Sequence, residues 1–233
     1  MNHTRVEFPG GSESRNTEGF LVEPPDRGSA NNPAVVVIHA IWGLVEFIKD
    51  VTTRFAKEGY VSLAPDLFGG QTASNLEEGI KIKSGFSEEK FLGDLRGAVA
   101  YLKRQENVNP KRIGSVGFCM GGTLSLLHAC YEDVAACVVF YGWNPTPLEL
   151  LKNVSCPILG NYGGADPRIT HKDINVLKET LTKYGKKYDI KVYPGAPHAF
   201  FNETLPSYRA DVAKDAWMRT IDYLSKNLKE GLI

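Results

Sequence analysis

"RIGSVGFCMGG", Arg112 to Gly122, is the stretch on which the reading of this chain turns. Its first half is a short apolar run with Ile113 and Val116, and it reads as a buried strand over 112–118. Its second half sets Cys119 between Gly117 and Gly121. Gly117-Phe118-Cys119-Met120-Gly121 fits the nucleophile-elbow pattern G-x-S-x-G with sulfur in place of oxygen. Small residues two before and two after the nucleophile are required because a tight strand-to-helix turn crowds the backbone there. A helix predicted over 121–129 would begin beneath the thiol, where unpaired N–H groups favour thiolate over thiol. A free cysteine is also a common small core residue, so the rest of the chain decides which this one is.

Outward from this stretch, short apolar runs alternate with helix-like segments. Strands are expected at "AVVVIHA" (34–40), "YVSLAPD" (60–66), "VAACVVFYG" (134–142), "CPILGNYGG" (156–164) and "YDIKVYPG" (188–195). Helical spacing of apolar residues marks 47–58, 88–104, 171–184 and 208–227. Strands rich in Val and Ile, each followed by a helix, imply a mostly parallel doubly wound sheet with helices on both faces. Residues 4–8 and 18–24 read as an antiparallel pair on one edge. Pro24 to Pro33, rich in Pro, Gly and Asn, reads as a turn rather than a linker. A single domain over 1–233 is the expectation.

Composition narrows the functional classes. The 233 residues are 42% hydrophobic, enough for a proper core, and 27 basic residues balance 27 acidic ones. The charges are interspersed, which argues against nucleic-acid or anionic-membrane partners. The N-terminal stretch lacks a signal-peptide apolar core, and no apolar run approaches the ~18 residues that span a bilayer. Cys119, Cys130, Cys137 and Cys156 show no C-x-x-C spacing and no zinc-type Cys/His cluster, so free thiols in a reducing compartment are expected. Core packing is the reading for Cys130, Cys137 and Cys156. The expectation is a cytoplasmic monomer or homodimer with a small-molecule substrate and no metal or organic cofactor.

Ligands in open α/β sheets sit beyond the carboxyl ends of the strands. Three reactive residues lie just past predicted strand ends: Cys119, Asp166 in "GGADP" and His198 in "YPGAPHAF". His198 would take the thiol proton, and Asp166 would hold the imidazole in the right tautomer. The order nucleophile, acid, histidine is that of the α/β-hydrolases. The tetrahedral oxyanion needs backbone donors. Met120 N–H is one, and the loop after 34–40 is expected to supply the other at Ile41. Singly, Asp166 could merely turn the chain and His198 could be an ordinary loop histidine; type, order and placement together favour catalysis. His39 could line the site or pack, and His3 and His171 read as surface residues.

The sequence resembles the dienelactone hydrolase (carboxymethylenebutenolidase) family over nearly its whole length. The motifs that carry the resemblance are "VVVIHAIWGL", "GYVSLAPDLFGG", "GDLRGAVAYL", "IGSVGFCMGG", "GGADP" and "YPGAPHAFFN". The resemblance implies an α/β-hydrolase fold and a hydrolase of esters or lactones. It assigns Cys119, Asp166 and His198 as the triad and the backbones of Ile41 and Met120 as the oxyanion donors.

Two departures bear on the substrate. The family usually has a glutamate where Ala40 stands, and it helps to deprotonate the thiol; Glu46, a turn into the next helix, does not inherit that role. Family members of chlorocatechol breakdown grip a substrate carboxylate with arginines. One lies where Asn202 stands here, and between Gly69 and Leu95 this chain has no arginine. Lys81, Lys83 or Arg168 could substitute, but a lysine cannot copy a two-pronged arginine grip. Dienelactone itself is therefore disfavoured. Trp42, Phe68, Phe140, Tyr141, Trp143, Phe200 and Phe201 flank the predicted loops. Those reaching the site would suit it to a neutral or aromatic ester or lactone. The candidate substrate contacts are Ala40, Trp42, Phe68, Lys83, Tyr141, Arg168, Phe200 and Asn202. The missing glutamate also motivates an alternative: a weakly active or inactive relative that binds a small ligand or senses oxidants through Cys119.

Overall fold

The structure, a computed structural model, describes residues 3–11, 16–25 and 31–229. Residues 26–30, half of the turn expected from Pro24 to Pro33, lie outside the described residues. The strands are β1 (His3–Phe8), β2 (Thr17–Val22), β3 (Asn32–Ile38), β4 (Val61–Pro65), β5 (Val108–Phe118), β6 (Ala136–Phe140), β7 (Ile158–Gly163) and β8 (Tyr188–Tyr193). The helices are α1 (Glu46–Lys57), α2 (Leu76–Ser84), α3 (Glu88–Lys103), α4 (Met120–Tyr131), α5 (His171–Lys183) and α6 (Ala210–Leu228), with a 3-10 turn at Leu148–Asn153. The sheet runs β1-β2-β4-β3-β5-β6-β7-β8. β2 is antiparallel to both β1 and β4, whereas β3 and β4, β6 and β7, and β7 and β8 pair in parallel. This is the α/β-hydrolase arrangement, a mostly parallel sheet with its antiparallel strands at the N-terminal edge. Among the described residues no helix is long and apolar enough to cross a membrane.

The chain divides into two compact units, Met1–Ser115 and Val116–Ile233. In the first, every residue of β3 and β4 is buried, as continuous apolar runs in a covered sheet should be. Helix α1 buries Phe47, Ile48, Val51 and Phe55 at helical spacing. Helix α3 carries "GDLRG", and its two glycines are there for contact. A Cβ on Gly93 would collide with the Gly11 backbone, and one on Gly97 with the Pro9 carbonyl. The chain after β1 thus lies directly on α3. Between those glycines Asp94 is fully buried and accepts hydrogen bonds from Gly11 N–H at 2.9 Å and Thr17 Oγ1 at 2.6 Å. Lys90 Nζ closes the charge pair at 2.6 Å and also donates to the Leu67 carbonyl at 2.6 Å. A buried carboxylate without such partners would cost several kcal/mol.

In the second unit the residues of β6 and β7 are all buried, and helix α4 is buried almost throughout. Expected and observed elements differ mainly at their ends. β6 stops at Phe140, short of the expected 142, because Tyr141 turns to φ 41°. β5 begins at Val108, ahead of the expected 112, through Asn109, Pro110 and Lys111, which have poor strand propensity. Helix α2 has no counterpart in the sequence reading. It buries only Gly79 and is held at its start by Asn75, whose side chain accepts from Glu78 N–H at 3.0 Å.

Candidate active site

The elbow is built by backbone contact. A Cβ on Gly117 would overlap the Gly121 carbonyl, and one on Gly122 would come within 2.7 Å of the Phe140 carbonyl oxygen. Only glycine allows β5 to turn so sharply into α4. Cys119, at the turn, is held at φ 55°, ψ −117°, outside the regions that L-residues prefer. Its N–H donates to the Phe140 carbonyl at 3.0 Å, and its carbonyl accepts from Gly122 N–H at 2.9 Å. The residue is 7% exposed. Met120 is the first residue of α4 and is buried; its N–H belongs to the first turn, whose donors have no partner within the helix.

Asp166 follows β7, and its loop is laced to the one after β8. Gly164 N–H donates to the Tyr193 carbonyl at 2.7 Å and Ala165 N–H to the Ala196 carbonyl at 3.0 Å. The Asp166 side chain is 1% exposed. One oxygen accepts from Arg168 N–H at 2.8 Å and Ile169 N–H at 3.2 Å, which fixes its direction. The other meets His198 Nδ1 at 2.6 Å, and His198 Nε2 faces Cys119 Sγ at 3.2 Å. A carboxylate only accepts, so Nδ1 carries hydrogen and Nε2 is turned to sulfur. Burial of His198 opposes its charge, but its hydrogen bonds to Asp166 and Cys119 and the fields of both outweigh that and push its pKa up to about 9.

Strain concentrates here. The described non-glycine residues with positive φ are Asn31, Cys119, Tyr141 and Ala199. Three of these four are Cys119, a ring against His198 and the residue after His198. Tyr141 is buried, with its ring centroid 5.1 Å from the imidazole. Burial, followed by the nearby charges of Cys119 and Asp166, raises its pKa well above the ordinary value. Trp143 lies 5.5 Å from the imidazole, centroid to centroid.

Phe200 is fully buried against Tyr141 and Tyr193. Phe140 and Phe201 stack with Phe118 in the same core. Asn202 is buried and turned to its own chain, its Oδ1 accepting from Thr204 N–H at 3.0 Å and Thr204 Oγ1 at 2.8 Å. Arg168 is exposed beside Asp166. Cys130, Cys137 and Cys156 are buried; burial pushes the Cys130 thiol up to about 12 and raises that of Cys156 further.

In the first unit, Ala40 and Ile41 are buried directly after β3, with Trp42 half-buried beside them. His39 locks that loop. Its Nε2 accepts from Leu67 N–H at 3.1 Å, so Nδ1 donates to the Ala40 carbonyl at 2.7 Å. Burial keeps its pKa below the ordinary value, as those roles require. Phe68 is fully buried among His39, Phe86 and Phe91. Lys81 and Lys83 are exposed on α2, and Glu46 is exposed at the start of α1. Sequence reasoning did not single out Thr123, whose Oγ1 accepts from Trp143 N–H at 2.8 Å, or Gly142, where a Cβ would meet Gly122 at 2.5 Å. The dipeptide Gly121-Gly122 after the cysteine is the one visible trace of that close approach.

A family model described as "Dienelactone hydrolase family" matches residues 17–228. A protein of Synechocystis sp. described as "Putative carboxymethylenebutenolidase" is 35% identical over 228 residues, covering 91% of this chain and 92% of that one. A Bradyrhizobium protein, described as "Probable 2-oxo-3-(5-oxofuran-2-ylidene)propanoate lactonase", is 32% identical, covering 94% and 92%. Among solved structures, a "Putative Dienelactone Hydrolase" from Klebsiella pneumoniae superposes with a TM-score of 0.88 at 26% identity, covering 97% of this chain and all of that one.

Proposed function

The chain belongs to the dienelactone hydrolase family and is a lactone or ester hydrolase, and we propose that it works by acyl transfer through Cys119. The Cys119 thiolate attacks the substrate carbonyl carbon, and the carbonyl oxygen takes the electron pair beside Met120 N–H. As the tetrahedral adduct collapses, His198 Nε2 gives its proton to the leaving oxygen and a thioester remains. Water, deprotonated by the same nitrogen, cleaves the thioester and returns the thiolate. Asp166 holds the ring and its charge throughout.

The observation that carries this reading is the unbroken line from Asp166 Oδ2 to His198 at 2.6 Å and from His198 to Cys119 Sγ at 3.2 Å. With alanine at position 40, thiol activation falls to His198 and the N-terminus of α4. Asn202 spends its Oδ1 on Thr204 and brings no positive charge, which favours a neutral ester or lactone over one bearing a carboxylate.

Multiple-turnover hydrolysis of p-nitrophenyl acetate tests the mechanism against Cys119→Ala. Sustained turnover that falls by roughly a thousandfold or more in the variant is expected, since removal of a nucleophile has effects on that scale. A single burst of one equivalent would reduce Cys119 to a reactive thiol, as an oxidant sensor requires. Turnover surviving the substitution would make it a bystander.

A further inference from the structure

We propose that Trp143 is a specificity-determining residue of this site, its indole receiving a planar aromatic leaving group: the aryl portion of an ester. The proposal rests on the acyl-transfer reading above and adds the chemical class of the group expelled.

Two rings stand at the His198 imidazole. Tyr141 lies 5.1 Å from it at an interplanar angle of 58°, and Trp143 lies 5.5 Å from it at 45°. Tyr141 is 1% exposed and its surface is spent on Phe118, Phe140 and Phe200. Trp143 is 38% exposed, so of the two it alone has ring surface left for another molecule. It is also held in place. Its main-chain N–H donates to Thr123 Oγ1 at 2.8 Å on α4, and the preceding Gly142 abuts Gly122. Its main chain is anchored and its ring lies half open beside the imidazole, so a face of the indole is available to a second molecule there.

The chemistry says which part of the substrate it meets. His198 Nε2 faces Cys119 Sγ at 3.2 Å, and the same nitrogen must reach the leaving oxygen to protonate it. The leaving group therefore departs alongside the imidazole, within reach of a ring 5.5 Å from it. An indole face or edge attracts a flat π-system over an aliphatic chain of similar size. Phenolates are flat and conjugated through the leaving oxygen; simple alkoxides are neither.

The test compares phenyl acetate with trifluoroethyl acetate, which deliver the same acetyl group to Cys119. The parameter is kcat/KM, which reports acylation, the step in which the leaving group is present. Wild type, Trp143→Ala and Trp143→Phe are measured in parallel. The ratio of kcat/KM for the aryl over the alkyl ester is expected to fall about three- to tenfold in Trp143→Ala and to be retained in Trp143→Phe, the range set by one aromatic contact. An unchanged ratio in all three proteins would overturn the proposal, including the case in which both esters slow equally because Trp143 only braces His198. If wild type turns over neither ester, the acyl-transfer reading itself fails, and this inference with it.

Discussion

Gly117 and Gly121 meet backbone to backbone: a Cβ on the first would lie inside the carbonyl group of the second. Neither group is a flexible side chain tip, so nothing can move aside cheaply. Gly117→Ala should cost of order 3 kcal/mol or more by overpacking, a fall in Tm of about 6–12 °C for a chain of this length. Activity should fall with it, because the elbow sets the position of Cys119. Thermal unfolding together with ester hydrolysis checks this. An unchanged Tm would show that the turn is less tight than described.

Asp166→Asn isolates the carboxylate that meets His198 Nδ1. The asparagine can still accept Arg168 N–H and Ile169 N–H through Oδ1, so the loop should fold. What changes is the atom facing His198 Nδ1: an amide NH₂ would favour the wrong imidazole tautomer. kcat/KM is expected to drop on the order of 10²- to 10⁴-fold with Tm nearly constant. A loss below about threefold would remove Asp166 from the mechanism.

His198 links the site to stability. Its folded pKa of about 9 lies above the ordinary 6.5. A raised pKa means that protonation favours the folded state. That stabilisation, on the order of 3 kcal/mol, is complete below pH ~6.5, fades as pH climbs, and is gone above pH ~9. The Tm advantage of wild type over His198→Gln should therefore be larger at pH 6 than at pH 10. The C2–H resonance of His198 should titrate near 9 in wild type and lower in Cys119→Ala, since Cys119 supplies part of the upward pull. A midpoint unmoved by that substitution would contradict the coupling between the two residues.

Asp94→Ala should be among the most destabilising single changes in the first unit. It leaves Lys90, Thr17 and Gly11 facing a hole where a charge stood. Breaking a buried pair from one side costs about 3–5 kcal/mol, or roughly 6–20 °C in Tm. Thr17→Ala, which removes one hydrogen bond, should cost about 1–2 kcal/mol. Urea melts of the two variants would rank them, and equal midpoints would refute the buried-pair account.

The parallel core is readable in the sequence because β-branched runs such as Ala34–Ile38 have no other stable use than a covered strand. The line Asp166–His198–Cys119 is readable because order along the chain and position after strands are sequence properties. What escapes is whatever depends on φ or on burial of an unexpected residue type. Nothing in "VVFYGW" says that Tyr141 turns to positive φ and leaves Trp143 half open beside His198. Helix α2 escapes because it has no apolar stripe, being held by a cap and by Glu78 bonding back to Ser74 at 2.7 Å. Asp94 escapes because acids are mostly surface residues, although glycines on both sides of it hinted at a crowded helix face.

The segment lying on α3 bears on how this chain can be shortened. The family match begins at residue 17, and a gene trimmed to that boundary would still encode every strand but β1. Trimmed one residue further, to Glu18, it would lack both Gly11 and Thr17, and Asp94 would keep only Lys90 of the partners described. The leading segment is thus a built-in plug whose two polar contacts seal a charge within the first unit. Expression of fragments starting between residues 3 and 18 should show a sharp loss of folded yield once the plug is gone.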